Sequence, residues 1–340
     1  MRKKHYLRFL IIAGIFFVAS SFYYLPYYVS KPGMAKELAP IIEVENGNGE
    51  KGSFMLTTIR MGKANIYAYT IAKFSKYQEI YPVEEVRSKD ETDEEYNVRQ
   101  LHMMEGSKTN AIEVAYKKAN IPVKFRFNGV YVLQVIPNMP AEGKLKPGDR
   151  VTRIDGKEFE SMDQFIDYIG VKKPGDKVEV TYERDGQSHT VSLAVQTFSK
   201  DKNKVGIGIG LVDDKQIEVH PKVTIDSEEI GGPSAGTMFS LEIYNQLTKT
   251  DLTKGYQIAG TGTISPDGTV GRIGGIEQKI VAADKAGAEI FFAPEEKGVS
   301  DSNYKMAVKT AKDIGTSMKI VPIETFDDAV AYLEKLKMKK

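Results

Sequence analysis

Between Gly231 and Lys279 the chain twice enters an apolar helical pattern from behind a cluster of small residues. The first start is Gly231-Gly232-Pro233-Ser234-Ala235-Gly236, which runs on into Met238, Phe239, Leu241 and Ile243. The second is Gly271-Arg272-Ile273-Gly274-Gly275-Ile276-Glu277-Gln278-Lys279, with Ile280 and Ala283 beyond it. Glycines permit tight turns and close backbone approach, and a helix start leaves N–H groups unsatisfied. Each start carries one chemically useful side chain, Ser234 or Lys279. The pattern demands a domain in which helices alternate with short strands, and it reads as a nucleophile and its base.

Gly232-Pro233-Ser234-Ala235-Gly236 satisfies G-x-S-x-G, the elbow of α/β-hydrolases, but that fold places its histidine after the serine. The four histidines here, His5, His102, His189 and His220, all precede Ser234. His189 and His220 would have to fold back to act as base, and a half-buried structural place in a strand is expected for His220. No cysteine is present, which removes thiol nucleophiles, disulfides and thiolate metal sites. No H-E-x-x-H occurs, so neither a metal nor a cofactor is expected.

Lys279 is the base that remains. A lysine amine ordinarily titrates near 10.4, and lowering it to neutrality costs about 4 kcal/mol of differential stabilisation. Desolvation can impose that cost, and Ile276, Ile280 and Ala283 are apolar company of the right kind. Thr261, in Ala259-Gly260-Thr261-Gly262, is the candidate hydroxyl to orient the amine. Gly232, Pro233 and Ala235 keep the serine accessible, and the helix start offers N–H groups to an oxyanion.

The chain has 340 residues, 41% hydrophobic and 27% charged, enough for two domains and a short extra segment. Its net charge of +1, from 47 basic and 46 acidic residues, argues against a nucleic-acid partner. Arg2, Lys3, Lys4 and Arg8 precede an apolar run from Phe9 to about Val29, with Tyr23, Tyr24, Tyr27 and Tyr28 at its far end. That length predicts a transmembrane anchor over residues 9–29 behind a cytoplasmic tail of residues 1–8, placing the rest of the chain outside the cytoplasm at the cell membrane. A cleaved signal peptide ending at Val18-Ala19-Ser20 is the alternative. Residues 30–120 read as a linker, a strand over Ser53–Met61, and a helix opened by the capping box Thr92-Asp93-Glu94-Glu95.

From Ile121 the texture changes to short strands over residues 121–199, at Val123–Phe127, Val130–Val135, Arg150–Ile154, Lys177–Glu183 and Thr190–Ala194, with one short helix at Ser161–Tyr168. The string Leu145-Lys146-Pro147-Gly148-Asp149-Arg150-Val151-Thr152-Arg153-Ile154-Asp155-Gly156 resembles that of bacterial PDZ domains. The resemblance implies peptide binding by strand addition, with Asn128, Gly129, Val130 and Tyr131 standing where the carboxylate-binding loop would be.

After the charged linker Lys200–Lys204, residues 205–340 alternate strands and helices. Pro233-Ser234-Ala235-Gly236, Thr261-Gly262-Thr263-Ile264, Ile273-Gly274-Gly275-Ile276, Lys279, Ala282-Ala283 and Ala286-Gly287 resemble the proteolytic domain of Lon proteases. The resemblance implies an α+β chain: transmembrane helix, β-rich PDZ module and Lon-type α/β domain, completed by residues 30–120. This order is similar to the YlbL-type membrane-anchored PDZ proteases of Gram-positive bacteria. It implies an ATP-independent serine endopeptidase, with a Ser234–Lys279 dyad supported by Thr261. Peptides or short membrane proteins are the expected substrates, signalling precursors or cell-division inhibitors among them. A homo-oligomer, a hexameric ring by analogy, is the implied assembly. No G-x-x-x-x-G-K-[ST] loop occurs, so no ATPase module is expected in these residues. The rival reading is a catalytically inactive PDZ scaffold.

Overall fold

A computed structural model describes residues 2–88, 91–199, 201–202, 204–227 and 230–339, without the side chains of residues 2–4 and 7. Met1 of the expected tail, Lys200 and Asn203 of the charged linker, and the side chains of Arg2, Lys3 and Lys4 therefore lie outside the described residues. The chain divides into two units. Unit 1 is residues 1–43, 47–90 and 234–340; unit 2 is residues 44–46 and 91–233.

Unit 1 opens with α1 (Arg2–Ser21), β1 (Tyr24–Glu37), β2 (Ser53–Asn65), α2 (Ile66–Phe74) and β3 (Glu79–Pro82). The expected transmembrane anchor over residues 9–29 is corrected here. The helix ends at Ser21, and the tyrosine-rich second part of the run enters β1, where Tyr28, Val29 and Ser30 are buried. Val29 pairs with Gly62 of β2 and Ile80 of β3, and packs in a small core with Ala64 and Ala72. Aromatic and β-branched residues suit a pleated surface, so sheet pairing takes the residues that hydropathy alone assigns to one helix. Among the described residues no helix is long and apolar enough to cross a membrane.

Unit 2 begins with α3 (Asp93–Lys118), whose Thr92–Glu95 capping box forms in both directions. There follow β4 (Lys124–Val135), β5 (Arg150–Ile154), α4 (Met162–Gly170), β6 (Lys177–Arg184), β7 (Gln187–Ala194) and β8 (Ile209–Glu218). They make an antiparallel five-stranded sheet in the order β8-β4-β5-β6-β7. Its core gathers Val130, Val132, Val151, Ile154, Phe165, Ile169, Val180 and Leu193. The boundary expected at Val205 thus falls inside this unit, because β8 pairs with β4 along ten residue pairs from Ile209 to Glu218.

The chain returns to unit 1 through α5 (Gly236–Leu247), β9 (Gln257–Gly260), β10 (Thr263–Ile264), β11 (Val270–Gly271) and α6 (Ile276–Lys285). It finishes with β12 (Ile290–Pro294), α7 (Asn303–Ile314), β13 (Lys319–Ile323) and α8 (Phe326–Glu334). The six-stranded sheet runs β13-β12-β9-β2-β1-β3, so strands from both ends of the chain share one sheet. β13, β12, β9 and β2 are parallel neighbours, while β1 and β3 add antiparallel. Met55 of β2, Ala259 of β9 and Phe291 of β12 bury against Ile276, Ile280 and Ala283 of α6. This apolar layer is what buries Lys279.

Candidate active site

Ser234 stands just before α5, whose N-cap is Ala235. Its carbonyl accepts two hydrogen bonds, from the Gly262 N–H and the Thr261 hydroxyl, both at 3.0 Å. Gly262 returns the contact: its carbonyl accepts from the Thr237 N–H at 3.2 Å. Gly262 sits at φ +150°, and a Cβ there would lie 2.6 Å from Thr237 Oγ1 and 2.7 Å from Val270 Cγ1. Only glycine lets the β9–β10 link come close enough to clamp the serine backbone.

Lys279 lies in the first turn of α6, behind Gly275 at φ +69°. Its side chain is 2% exposed. Nζ lies 2.7 Å from the Thr57 carbonyl, 2.9 Å from Ser234 Oγ and 3.1 Å from Thr261 Oγ1. Burial lowers its pKa from 10.5 to about 7, since no charged neighbour compensates the desolvated ammonium.

Proton accounting then fixes the orientation of the amine. A neutral amine has two N–H bonds and one lone pair. The Thr57 carbonyl can only accept, so it takes one N–H. The Thr261 hydroxyl has given its hydrogen to the Ser234 carbonyl, so its oxygen takes the second. The lone pair is left for the Ser234 hydroxyl, the arrangement that a general base requires. Once protonated, the ammonium finds three acceptors for its three hydrogens.

Ser234, Thr261 and Lys279 are therefore brought together within unit 1. Thr57 was not legible as a site residue: it acts through a backbone carbonyl, and the strand-like Ser53–Met61 carries no side-chain sign of it. The histidine reading gains no geometry. His220 is 90% exposed beside Glu45, on a bend and not in the half-buried strand position expected, and His189 stacks on Tyr182.

Of the residues expected around the oxyanion, the Gly232 N–H is spent on the Gln100 carbonyl at 2.8 Å, and Pro233 has no N–H. The Ala235 N–H has no partner among the described residues, and as the start of α5 it joins the donors that a helix leaves open.

In unit 2 the expected carboxylate loop is corrected. Asn128–Tyr131 lies inside β4, with Gly129, Val130 and Tyr131 paired to Asp214, Asp213 and Val212 of β8. On the other side Val130 and Tyr131 face Val151 and Arg150 of β5. Gly129, at φ +134°, passes so close to β5 that a Cβ would meet the Val151 carbonyl at 2.3 Å. A strand hydrogen-bonded on both sides cannot receive a third. The sheet has two edge strands, β7 and β8, and β8 is the one flanked by α4, whose Met162 N–H donates to Asp213 Oδ1 at 2.8 Å. Val205-Gly206-Ile207-Gly208-Ile209-Gly210 leads into it, and this alternation of glycines is the sequence signal that would have placed the loop.

A cavity of about 1090 Å³ also opens in unit 2, lined by His102, Tyr131, Arg150 and Asp214 among others. Its charges compensate one another: Arg150 with Asp214 and Glu183, Arg153 with Glu158, Lys215 with Asp213. None of Ser234, Thr261 and Lys279 lines it.

The PDZ domain family matches residues 86–195, and the Lon protease (S16) C-terminal proteolytic domain matches residues 178–335. The chain is similar to Lon protease of Metamycoplasma arthritidis, 30% identical over 45% of this chain and 17% of that one. It is also similar to the peroxisomal Lon protease homolog 2 of Caenorhabditis elegans, 32% identical over 47% of this chain and 19% of that one. The chain thus spans less than a quarter of the length of these relatives. Among solved structures, the PDZ domain of an SdrC-like protein from Listeria monocytogenes is 40% identical over 26% of this chain and 93% of that one, with a TM-score of 0.25.

Proposed function

The chain joins a PDZ domain to a Lon-type serine-peptidase domain, and from that premise we propose that it cuts peptide bonds through a Ser234–Lys279 dyad without ATP. The observation that carries the reading is the 2.9 Å contact between Lys279 Nζ and Ser234 Oγ, with both amine hydrogens engaged elsewhere. Lys279 takes the serine proton as Oγ attacks the peptide carbonyl. The carbonyl oxygen, now an oxyanion, meets the Ala235 N–H at the start of α5. The ammonium returns its proton to the leaving amine, and water hydrolyses the acyl-enzyme by the same route. No G-x-x-x-x-G-K-[ST] loop occurs in these residues, so unfolded or short peptides are the substrates.

The acid limb of the rate tests the base. Lys279 must be neutral to work, and it becomes so above about pH 7. kcat/KM on an unfolded casein is expected to fall about tenfold per pH unit below that value. A flat rate between pH 5 and 8 would exclude the lysine.

The PDZ domain presents substrate, on this reading, by adding a peptide strand to the open edge of β8 beside α4. Titrating an unstructured peptide with a free C-terminus into the whole chain is expected to shift the amide signals of residues 206–211 and 162–169. Shifts confined to residues 128–131 would return the site to β4.

A further inference from the structure

Glu242 lies in the apolar body of α5 and is fully buried, yet it is a carboxyl group. Oε1 accepts from Gln246 Nε2 at 2.5 Å, while Oε2 is buried without another hydrogen-bond partner. Glu50, in the segment leading into β2, mirrors it. Its Oε2 accepts from Asn245 Nδ2 at 2.9 Å, and its Oε1 is buried without another partner. The two carboxyl groups lie within hydrogen-bonding reach of each other. Neither makes an ion pair among the described residues. Asp251, just beyond α5, adds a third negative charge; it is held by the N–H groups of Lys51 and Thr253 and by the Thr253 hydroxyl.

The surrounding backbone shows what the pair fastens. Asn48 N–H donates to the Gln246 carbonyl, Asn48 Nδ2 to the Thr248 carbonyl, and Gly52 N–H to Thr253 Oγ1, at 2.8, 2.8 and 3.0 Å. Gly52 presses on Tyr256, whose carbonyl would lie 2.2 Å from a Cβ. Residues 48–52 are thus stitched to the end of α5 and the turn after it. α5 carries Ser234 at its start, and β2, which the segment feeds, carries the Thr57 carbonyl.

We propose that Glu50 and Glu242 share one proton and act as a latch between α5 and the segment entering β2, so that loss of this proton, and not of any proton in the dyad, ends activity on the alkaline side. Two buried carboxylates in contact cannot both ionise at low cost. The proton bridges the two unpartnered oxygens; when it leaves for solvent, two buried negative charges remain, with Asp251 nearby and only amides to solvate them. Burial, then the charges of Glu242 and Asp251, push Glu50 up to about 8, and burial pushes Glu242 up as well. A carboxyl raised on folding contributes stability that is complete below its unfolded value of 4.5 and is lost as pH rises through about 8. Lys279 would set the acid limb of the rate and this pair the alkaline limb.

The test is Glu242→Gln in the whole chain, since a glutamine can donate to Glu50 what the proton bridged. The lead of the variant's melting temperature over that of wild type, a difference from which the Lys279 contribution cancels, is expected to grow between pH 5 and 8 and to hold above that, being about 3–6 °C larger at pH 9 than at pH 5. On fluorescein-labelled casein, wild-type kcat/KM should drop about tenfold per unit above pH 8, while the variant loses this limb and keeps the acid one. Glu50→Gln should behave alike and stands in if the first variant fails to fold. An unchanged alkaline slope in both variants overturns the latch. So does a rise in wild-type melting temperature with millimolar calcium at pH 9 that Glu242→Gln abolishes, because a cation would then hold the carboxylates. Only the rate arm rests on the peptidase reading. If wild type leaves casein uncut, that reading suffers while the melting curves still decide the latch.

Discussion

Replacing Lys279 by methionine is expected to abolish peptide cleavage and to make the protein more stable. The loss of rate should be at least about 10³-fold, the upper range for removing a general base, with Ser234→Ala as the matching control. The stability follows from the cost of burying the amine. An unfolded lysine keeps its proton up to 10.5, whereas the folded site keeps it only up to about 7. The folded state therefore carries a penalty of about 5 kcal/mol at every pH below 7, and this is relieved as pH rises from 7 to 10.5. Methionine has similar length and no charge to desolvate. Against the relief stand three lost contacts to Thr57, Ser234 and Thr261, worth about 1 kcal/mol each. A net gain of about 2 kcal/mol at pH 6 remains, shrinking toward alkaline pH. Denaturant unfolding at pH 6 and 9 reads it. A methionine variant that cleaves casein, or one less stable than wild type at pH 6, would contradict the assignment.

Thr261→Val should cost about 10²-fold in kcat with little change in KM. Thr261 is completely buried, and valine matches its shape, so packing is preserved. What goes is the oxygen that holds one amine hydrogen and the hydrogen that clamps the Ser234 carbonyl. With one amine hydrogen free, the lone pair is no longer confined to the serine. The ammonium also loses one of its acceptors, so the acid limb of the rate should move to lower pH. Thr261→Ser keeps the hydroxyl and should restore most of kcat. A purely structural threonine would lower stability without moving the pH limb, and that result would remove it from the site.

The parts of this site that could be read in advance are those whose chemistry is local. Ser234 and Lys279 follow glycine-rich helix starts, and Thr261 sits in a Gly-Thr-Gly link; spacing along the chain is enough to nominate them. Thr57 was invisible because a carbonyl belongs to every residue, and only pairing of β2 beside β9 aims this one at the amine. Glu242 did leave a mark, a carboxyl among Phe239, Leu241 and Ile243. Its meaning depends on Glu50, which a different segment supplies.

Two expectations failed for the same physical reason. The apolar run to Val29 looked like one membrane helix, and Asn128–Tyr131 stood where a carboxylate-binding loop would be. In each case strand pairing with distant residues, Gly62 and Ile80 for Val29, Asp213 and Val151 for Val130, decided the outcome. Hydropathy and turn residues report on a segment and its solvent. They do not report which strand lies beside it.

The sequence by itself nominated Ser234, Lys279 and the Thr261 between them, and it marked a β-rich module inside an α/β chain. These follow from residue type and short-range periodicity. Only the tertiary structure decided that Lys279 is buried deeply enough for its pKa to fall to about 7, that its lone pair has one place to point, and that Asn128–Tyr131 lies inside a sheet whose edges are β7 and β8. Burial, hydrogen-bond direction and sheet order are properties of neighbours brought together by folding, and no stretch of chain carries them alone.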